Sequence, residues 1–465
     1  MHEPVLEVDY LIAGAGAAGM AFADSLMTET KATIAMVDRR HRPGGHWNDS
    51  YPFVRLHQPS AFYGVNSRPL GSGRKDDIGL NKGFHELASG QEVLSYFDMV
   101  MRQQFLPSGR FHFFPMSEVS EQGVVTSLLS GRTRQVRARK FVHASYSETT
   151  IPSTHTRSYS VDPGISCVPV NELPRRAAQY DEYVVIGAGK TGMDACIWLL
   201  ENGADPEKIR WIMPRDYWWL NRGTYQPGEE FLARVMQSIA NGVEAIAGED
   251  SVDSVFARLE AFDEVRRIDP GVKPTGYHGG FVGDLELEQL RRIRNVVRLG
   301  RVTRIDAGRI VLERGEIPTH AGCLHVDCTA AGIPAKPAKP IFEGERITLQ
   351  WVRLSQPTFS WSAIGHVEAA YGDDAEKNRV CPPIAPPNEP KDWLRMMATE
   401  LKTSYGWSKD PRMTDWQAKA RLDPFTPRIR AMKGNEIEAI AQLRRYAKYA
   451  GPAAAKLPQL LETAR

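Results

Sequence analysis

Two short glycine runs carry the strongest chemical signal in the sequence. The first, Gly14-Ala15-Gly16-Ala17-Ala18-Gly19, follows the apolar segment Val5 to Ala13 and precedes a helical stretch, Met20 to Thr28. Glycine at the first, third and sixth places lets the backbone turn sharply, approach a pyrophosphate and pack a helix on a strand. The helix N-terminus then adds amide donors and a favourable dipole. Asp38 lies nineteen residues after Gly19, closing the next apolar run, Ala32 to Val37. A carboxylate there accepts hydrogen bonds from ribose hydroxyls. The second run, Gly187-Ala188-Gly189-Lys190-Thr191-Gly192, repeats the arrangement between Glu182 to Ile186 and Met193 to Glu201. Here Arg215 stands where the first unit has its acid. A guanidinium pairs with a 2′-phosphate that a carboxylate would repel, which favours NADPH over NADH; the alternative is an ordinary solvated arginine. Lys190 either helps hold the phosphates or faces solvent. The second run is not a nucleoside triphosphatase loop, because position 184, where that motif needs glycine, is Val.

Two nucleotide units in one chain, one with an acid and one with an arginine, imply a nicotinamide that delivers hydride to a flavin. The elements that must position them define an α/β chain with two Rossmann-like dinucleotide-binding domains. The expected organisation is a discontinuous FAD domain, 1–155 and 336–385, with an NADPH domain, 176–335, inserted into it. Residues 228–298 read as a largely helical insertion and 386–465 as a helical C-terminal tail. Gly90 to Phe105 has the pattern of an amphipathic helix, Gly123 to Val142 that of a hairpin about Ser130-Gly131, and Thr358 to Ile364 that of a last strand. Pro334 to Pro340, with three prolines in seven residues, reads as a linker.

At 465 residues, two or three domains are expected. A net charge of +2 gives no electrostatic case for nucleic acid or an anionic membrane as partner. No apolar stretch reaches the length of a membrane span, and no basic segment with a cleavage site precedes the first glycine run. Five scattered cysteines argue for a reducing compartment rather than a disulfide framework. The expectation is a cytoplasmic protein, without a metal site, whose partners are a small molecule and dioxygen; a homo-oligomer is left open.

With Gly44-Gly45-His46-Trp47 just after Asp38, the sequence resembles the two-dinucleotide-binding flavoproteins, and within them the class B flavin monooxygenases. Gly45, His46 and Trp47 sit where that family lines the flavin. The resemblance covers roughly residues 5–335. It implies that NADPH reduces FAD, that dioxygen adds to give a C4a-(hydro)peroxyflavin, and that a nitrogen, a sulfur or a carbonyl carbon of the substrate is oxygenated. It further implies a pocket that excludes water around the flavin, with His46, Trp47, His57, Gln58 and Asn66 as candidates. Trp47 stands out because an indole can pack on the flavin and donate a hydrogen bond. Gly365-His366 is expected to bring backbone amides near the flavin. The Phe-x-Gly-x-x-x-His-x-x-x-Trp fingerprint of Baeyer–Villiger enzymes is missing: residues 159–180 contain neither histidine nor tryptophan.

Two other classes stay in view. A disulfide reductase needs a cysteine pair after the first unit, where the chain has His46-Trp47-Asn48-Asp49. Cys323 and Cys328 are five strand residues apart, roughly 16 Å, which is beyond disulfide reach. A sensor that binds both nucleotides without turnover differs from an oxygenase in whether NADPH reduces the flavin.

Overall fold

The computed structural model describes residues 4–334, 336–354 and 356–463. Position 335, the expected end of the second domain, lies outside these, as do the extreme termini.

The first apolar segment forms the strand Leu6–Ala13, and the run after the helix Ala17–Glu29 forms Ile34–Val37, whose four residues are all buried. Continuous burial is what a parallel strand covered on both faces requires. These two pair in parallel, with Tyr10 opposite Ile34 and Ala13 opposite Val37. Thr133–His143 lies parallel on the other side of Leu6–Ala13, and Phe111–Phe114 lies parallel beyond Ile34–Val37. The chain returns to this sheet late: Arg346–Thr348 pairs in parallel with Phe141, Val142 and His143. Leu6–Ala13 is thus flanked by its successor on one side and by a distant strand on the other. That is the switch point at whose strand ends such sheets bind ligands.

The second sheet is wholly parallel, in the order Val296–Val297, Ile209–Ile212, Glu182–Ile186, Cys323–Asp327, Cys167–Pro169. The expected hairpin is present as Val124–Ser127 against Thr133–His143. The cysteines are all free.

Two elements differ from the sequence reading. The apolar stretch after Pro357 is a helix, Pro357–Ala370, with proline in its first turn, where the missing N–H costs nothing. It packs on Ala17–Glu29. A Cβ at Gly365 would stand 2.9 Å from the Phe22 carbonyl oxygen, so only glycine allows this approach. Gly365 and His366 therefore serve helix packing and, contrary to expectation, do not line the cavity beside the glycine runs; His366 bonds Glu29 at 2.6 Å. The insertion, expected to be largely helical, contains the helices Leu232–Gly248, Val252–Ala261 and Asp284–Leu290 together with the strands Val265–Arg266 and Gly276–Val282, which flank Tyr217–Asn221 from just before it in a three-stranded sheet. The aromatic run Tyr217-Trp218-Trp219 suits a pleated, half-buried surface. The tail is helical, and its last helix, Ile437–Thr463, lies along Leu232–Gly248. Trp218, Val243, Phe256, Trp393 and Leu457 share one core between insertion and tail.

Candidate functional site

At the first loop Gly14 has φ +115°, and a Cβ at Gly19 would fall 2.1 Å from the Gly14 carbonyl oxygen. Strand and helix can meet this closely only without side chains at those two positions. The second glycine pair acts at longer range: a Cβ on Gly45 would come within 2.9 Å of Gly16 Cα. The Gly44 amide also donates to the Ala15 carbonyl at 2.8 Å. The segment carrying His46 and Trp47 is thereby fastened to the loop. The helix Ala17–Glu29 has no side-chain N-cap, so its first-turn amides remain available for an anion.

Asp38 is buried at the cavity edge. Its carboxylate accepts from the Ala15 amide at 2.7 Å and the Arg40 amide at 2.8 Å. Burial raises its pKa, and these two bonds act against that. Asp38 thus fixes the shape of the loop, and each carboxylate oxygen keeps a further lone pair for a ribose hydroxyl.

The second loop is built alike. Gly187 has φ +130°, and a Cβ at Gly192 would lie 2.1 Å from the Gly187 carbonyl oxygen. The helix Lys190–Glu201 also starts without a side-chain cap. Lys190 pairs with Asp194 one turn on, and Asp194 accepts the Tyr51 hydroxyl at 2.7 Å. Tyr51 belongs to the loop after the first unit, so this bond ties the two units together. Phe53 stacks on Trp198 beside it at 5.5 Å.

Between the units lies a cavity of about 420 Å³ lined from both sides, by Gly14, Gly16 and Asp38 from one and by Lys190 and Thr191 from the other. Gly45, His46, Trp47, His57 and Gln58 also line it. Gly187, Gly189 and Gly192 do not line it; Gly187 and Gly192 shape the second loop, whereas a Cβ at Gly189 would meet nothing. Trp47 is buried and stacked on His46 at 5.1 Å. Its indole N–H donates to the Tyr63 hydroxyl at 2.8 Å, so Trp47 offers a wall rather than the free donor expected of it. Burial pushes His46 down to about 4 and His57 to about 3. For His57 the cations Lys190 and Arg222 add to the effect. Both rings are therefore neutral at ordinary pH, and His57 Nδ1 accepts the Phe281 amide at 3.3 Å.

Two candidates lie elsewhere. Asn66 does not line the cavity; its side-chain oxygen accepts from the Leu422 amide at 3.4 Å. Arg215 sits beyond the strand Ile209–Ile212, over the Tyr217 ring at 4.9 Å and bonded to Asn388. It also stands outside the cavity lining.

Sequence reasoning missed several contributors. Arg222 is fully buried and donates to Glu286 at 2.6 Å, to Asn81 at 3.3 Å and to the His57 carbonyl at 3.2 Å. It thus holds the His57 segment against the insertion. Trp351 and Trp361 line the cavity, and their buried indole N–H groups have no partner among the described residues. Buried donors of this kind suit a bound group rich in acceptors. Glu182, His320 and Cys323 bring ligand-type atoms within 4.8 Å of one another at the sheet edge, but Lys208 already holds the carboxylate at 2.9 Å.

A family described as an NAD(P)-binding Rossmann-like domain matches residues 12–65. Among solved structures, cyclohexanone monooxygenase from Rhodococcus sp. Phi1 bound to NADP+ is similar over 99% of this chain and 98% of its own, with TM-score 0.50 and 14% identity. The ε-caprolactone-bound cyclohexanone monooxygenase in its Loose conformation gives TM-score 0.50 and 14% identity over 78% of this chain and 87% of its own. At such identity the likeness defines the fold, which is that of the class B flavin-dependent monooxygenases. The chain belongs to the family of the uncharacterized protein Rv2000 of Mycobacterium tuberculosis (strain ATCC 25618 / H37Rv), to which it is 46% identical over 99% of its length and 85% of the relative's. The Mycobacterium bovis protein Mb2023 matches equally. Among the described residues no helix is long and apolar enough to cross a membrane.

Proposed function

We propose that this protein is an NADPH- and dioxygen-dependent flavin monooxygenase acting on a small molecule at nitrogen, sulfur or a carbonyl carbon. The observation that carries the reading is the single cavity onto which both glycine loops open, with Trp47 and His57 between them. FAD is assigned to the first unit, where Asp38 and the uncapped helix suit its ribose and pyrophosphate. NADPH is assigned to the second, where Lys190 and Thr191 face the cavity, and the 2′-phosphate is assigned to Arg215 beyond the cavity lining. A flavin held there would supply the redox chemistry, accepting hydride from the nicotinamide so that one atom of dioxygen could pass to the substrate and the other leave as water.

The chain's own residues orient and dry the site. Trp47, braced by Tyr63, forms an apolar wall. His57, kept neutral by burial and by Lys190 and Arg222, adds no charge near the reacting rings. Tyr51 and Asp194 hold the two nucleotide units in register. The division into residues 1–155 with 336–385, 176–335 and 386–465 belongs to the same proposal.

The test is anaerobic mixing of holoprotein with NADPH, followed by oxygen, with the flavin spectrum monitored. Rapid bleaching and then a transient spectrum unlike either oxidised or reduced flavin is the expected result. Direct return to oxidised flavin would move the assignment to a reductase, and no bleaching at all to a nucleotide sensor.

A further inference from the structure

A second cavity, about 330 Å³, lies behind Phe281, which lines both it and the dinucleotide cleft. Its walls come from segments outside the two sheets that carry the glycine loops. Val235, Ile239 and Gly242 project from the insertion helix Leu232–Gly248, and Trp393, Met397 and Leu401 from the tail helix Pro390–Ser408. The volume falls at the lower end of the range for small-molecule sites, and mostly apolar walls with a few polar groups are the usual composition of one.

The polar groups on these walls divide into two kinds. The charged ones are already matched. Arg353 pairs with Glu400 and donates to Ser404 at 2.5 Å, and Glu264 is held by Arg234 at 2.7 Å and Asn241 at 2.6 Å. A charged ligand would therefore find no free counter-charge and would bear the cost of desolvation alone. Three donors on lining residues are unmatched among the described residues: the hydroxyls of Tyr225 and Tyr277 and Nε of Arg353, all on buried residues. A buried donor left unpaired is costly, so these positions suit a ligand that brings acceptor oxygens.

We infer that this cavity is the chamber for the acceptor substrate, and that it takes an uncharged, largely apolar molecule carrying one or two acceptor oxygens such as a carbonyl. As a binding site the chamber stands on the geometry alone; as the substrate's site it rests on the oxygenase reading. Tyr225 stacks on Phe281 with ring centroids 5.2 Å apart, so a ligand held by Tyr225 abuts the partition facing the flavin cleft.

The test uses flavin-loaded protein and prodan, an uncharged naphthalene ketone whose emission reports polarity and hydrogen bonding to its carbonyl. Saturable binding of one molecule per chain with blue-shifted emission is expected. Gly242→Leu should lower the affinity more than roughly tenfold by filling the chamber. A Cβ there meets only Trp393, at 3.9 Å, so the side chain enters open space. Met397→Trp provides a second filling variant should Gly242→Leu not retain flavin. Tyr225→Phe and Tyr277→Phe should each weaken prodan roughly two- to tenfold, the worth of one hydrogen bond, and leave the analogue without the propionyl group unaffected. The carboxylate analogue should not bind. No saturable binding, binding indifferent to the filling variants, or equal binding of the carboxylate would overturn the inference. Bleaching by NADPH in the same samples separates the two readings. Prodan binding without bleaching removes the oxygenase and keeps the chamber, whereas bleaching without prodan binding does the reverse.

Discussion

Arg222→Met should destabilise the junction between the insertion and the first dinucleotide unit far more than an average substitution. The guanidinium is fully buried and spends its donors on Glu286, Asn81 and the His57 carbonyl. Methionine fills similar space but leaves the Glu286 carboxylate, itself buried, without its main partner. The Gly283 amide at 2.8 Å and Lys190 at 4.0 Å remain and offset part of the loss. Breaking a buried pair by removing one partner costs about 3–5 kcal/mol. For a cooperative unit of 150–250 residues that corresponds to a drop of roughly 6–20 °C in Tm. Calorimetry of the flavin-loaded protein measures it, and hydrogen exchange in Asp284–Leu290 localises it. Removing both charges, as Arg222→Met with Glu286→Leu, should recover most of the loss, because the cost lies in the orphaned carboxylate. In the single variant Glu286 loses the partner that helps lower its pKa, so destabilisation should diminish as pH falls and the carboxylate protonates. A loss below about 1 kcal/mol, typical of an exposed pair, or a double variant no better than the single one, would refute this account.

Three further outcomes are expected. Arg215→Ala should raise the apparent constant for NADPH roughly 10- to 100-fold, the worth of a charge-assisted hydrogen bond or two, and leave NADH little changed; equal effects would remove the 2′-phosphate role. Gly14→Val should yield colourless protein, since Gly14 has φ +115°, where a β-branched residue is strained; a yellow variant, scored by its visible spectrum, would contradict the flavin assignment. His57, held at about 3 against an ordinary 6.5, refuses in the folded state a proton that the unfolded chain accepts between those values. Its neutral form therefore supports the fold above about pH 6.5, and that support is lost as pH falls toward 3. His57→Gln should flatten the unfolding free energy against pH in this window by at most about 1.4 kcal/mol per pH unit, read by denaturant titration, and parallel curves would sink the claim.

The nucleotide units were legible because their signal is local. Strand, glycine run, helix and the residue closing the next strand lie within a few tens of residues, and their spacing is dictated by the turn itself. Asp38 was placed correctly at the strand end, yet its bonds to Ala15 and Arg40 depend on how the loop folds back. The contacts that join the units were not legible. Tyr51 meets Asp194 across 143 residues, and Arg222 meets Glu286 across 64. No periodicity connects such positions. The stretch 358–364 misled for another reason: a short apolar run does not distinguish a buried strand from a buried helix. Pro357 was the available sign of a helix start. In the insertion, Gly276–Val282 is a strand despite its paired glycines at 279 and 280. A Cβ at Gly280 would lie 2.7 Å from the Trp219 ring, so the glycine there makes room for a neighbouring strand's indole.

The second cavity takes most of its walls from the insertion and the tail, with Tyr225 and Arg353 added from neighbouring segments, while the glycine loops sit on two other sheets. Changes at Val235, Ile239, Met397 or Leu401 alter the shape of that space without touching a backbone atom of either nucleotide loop. Substitutions in two helices can thus reshape that space while the glycine loops stay as they are. Phe281, the wall common to both cavities, is the position where that freedom ends.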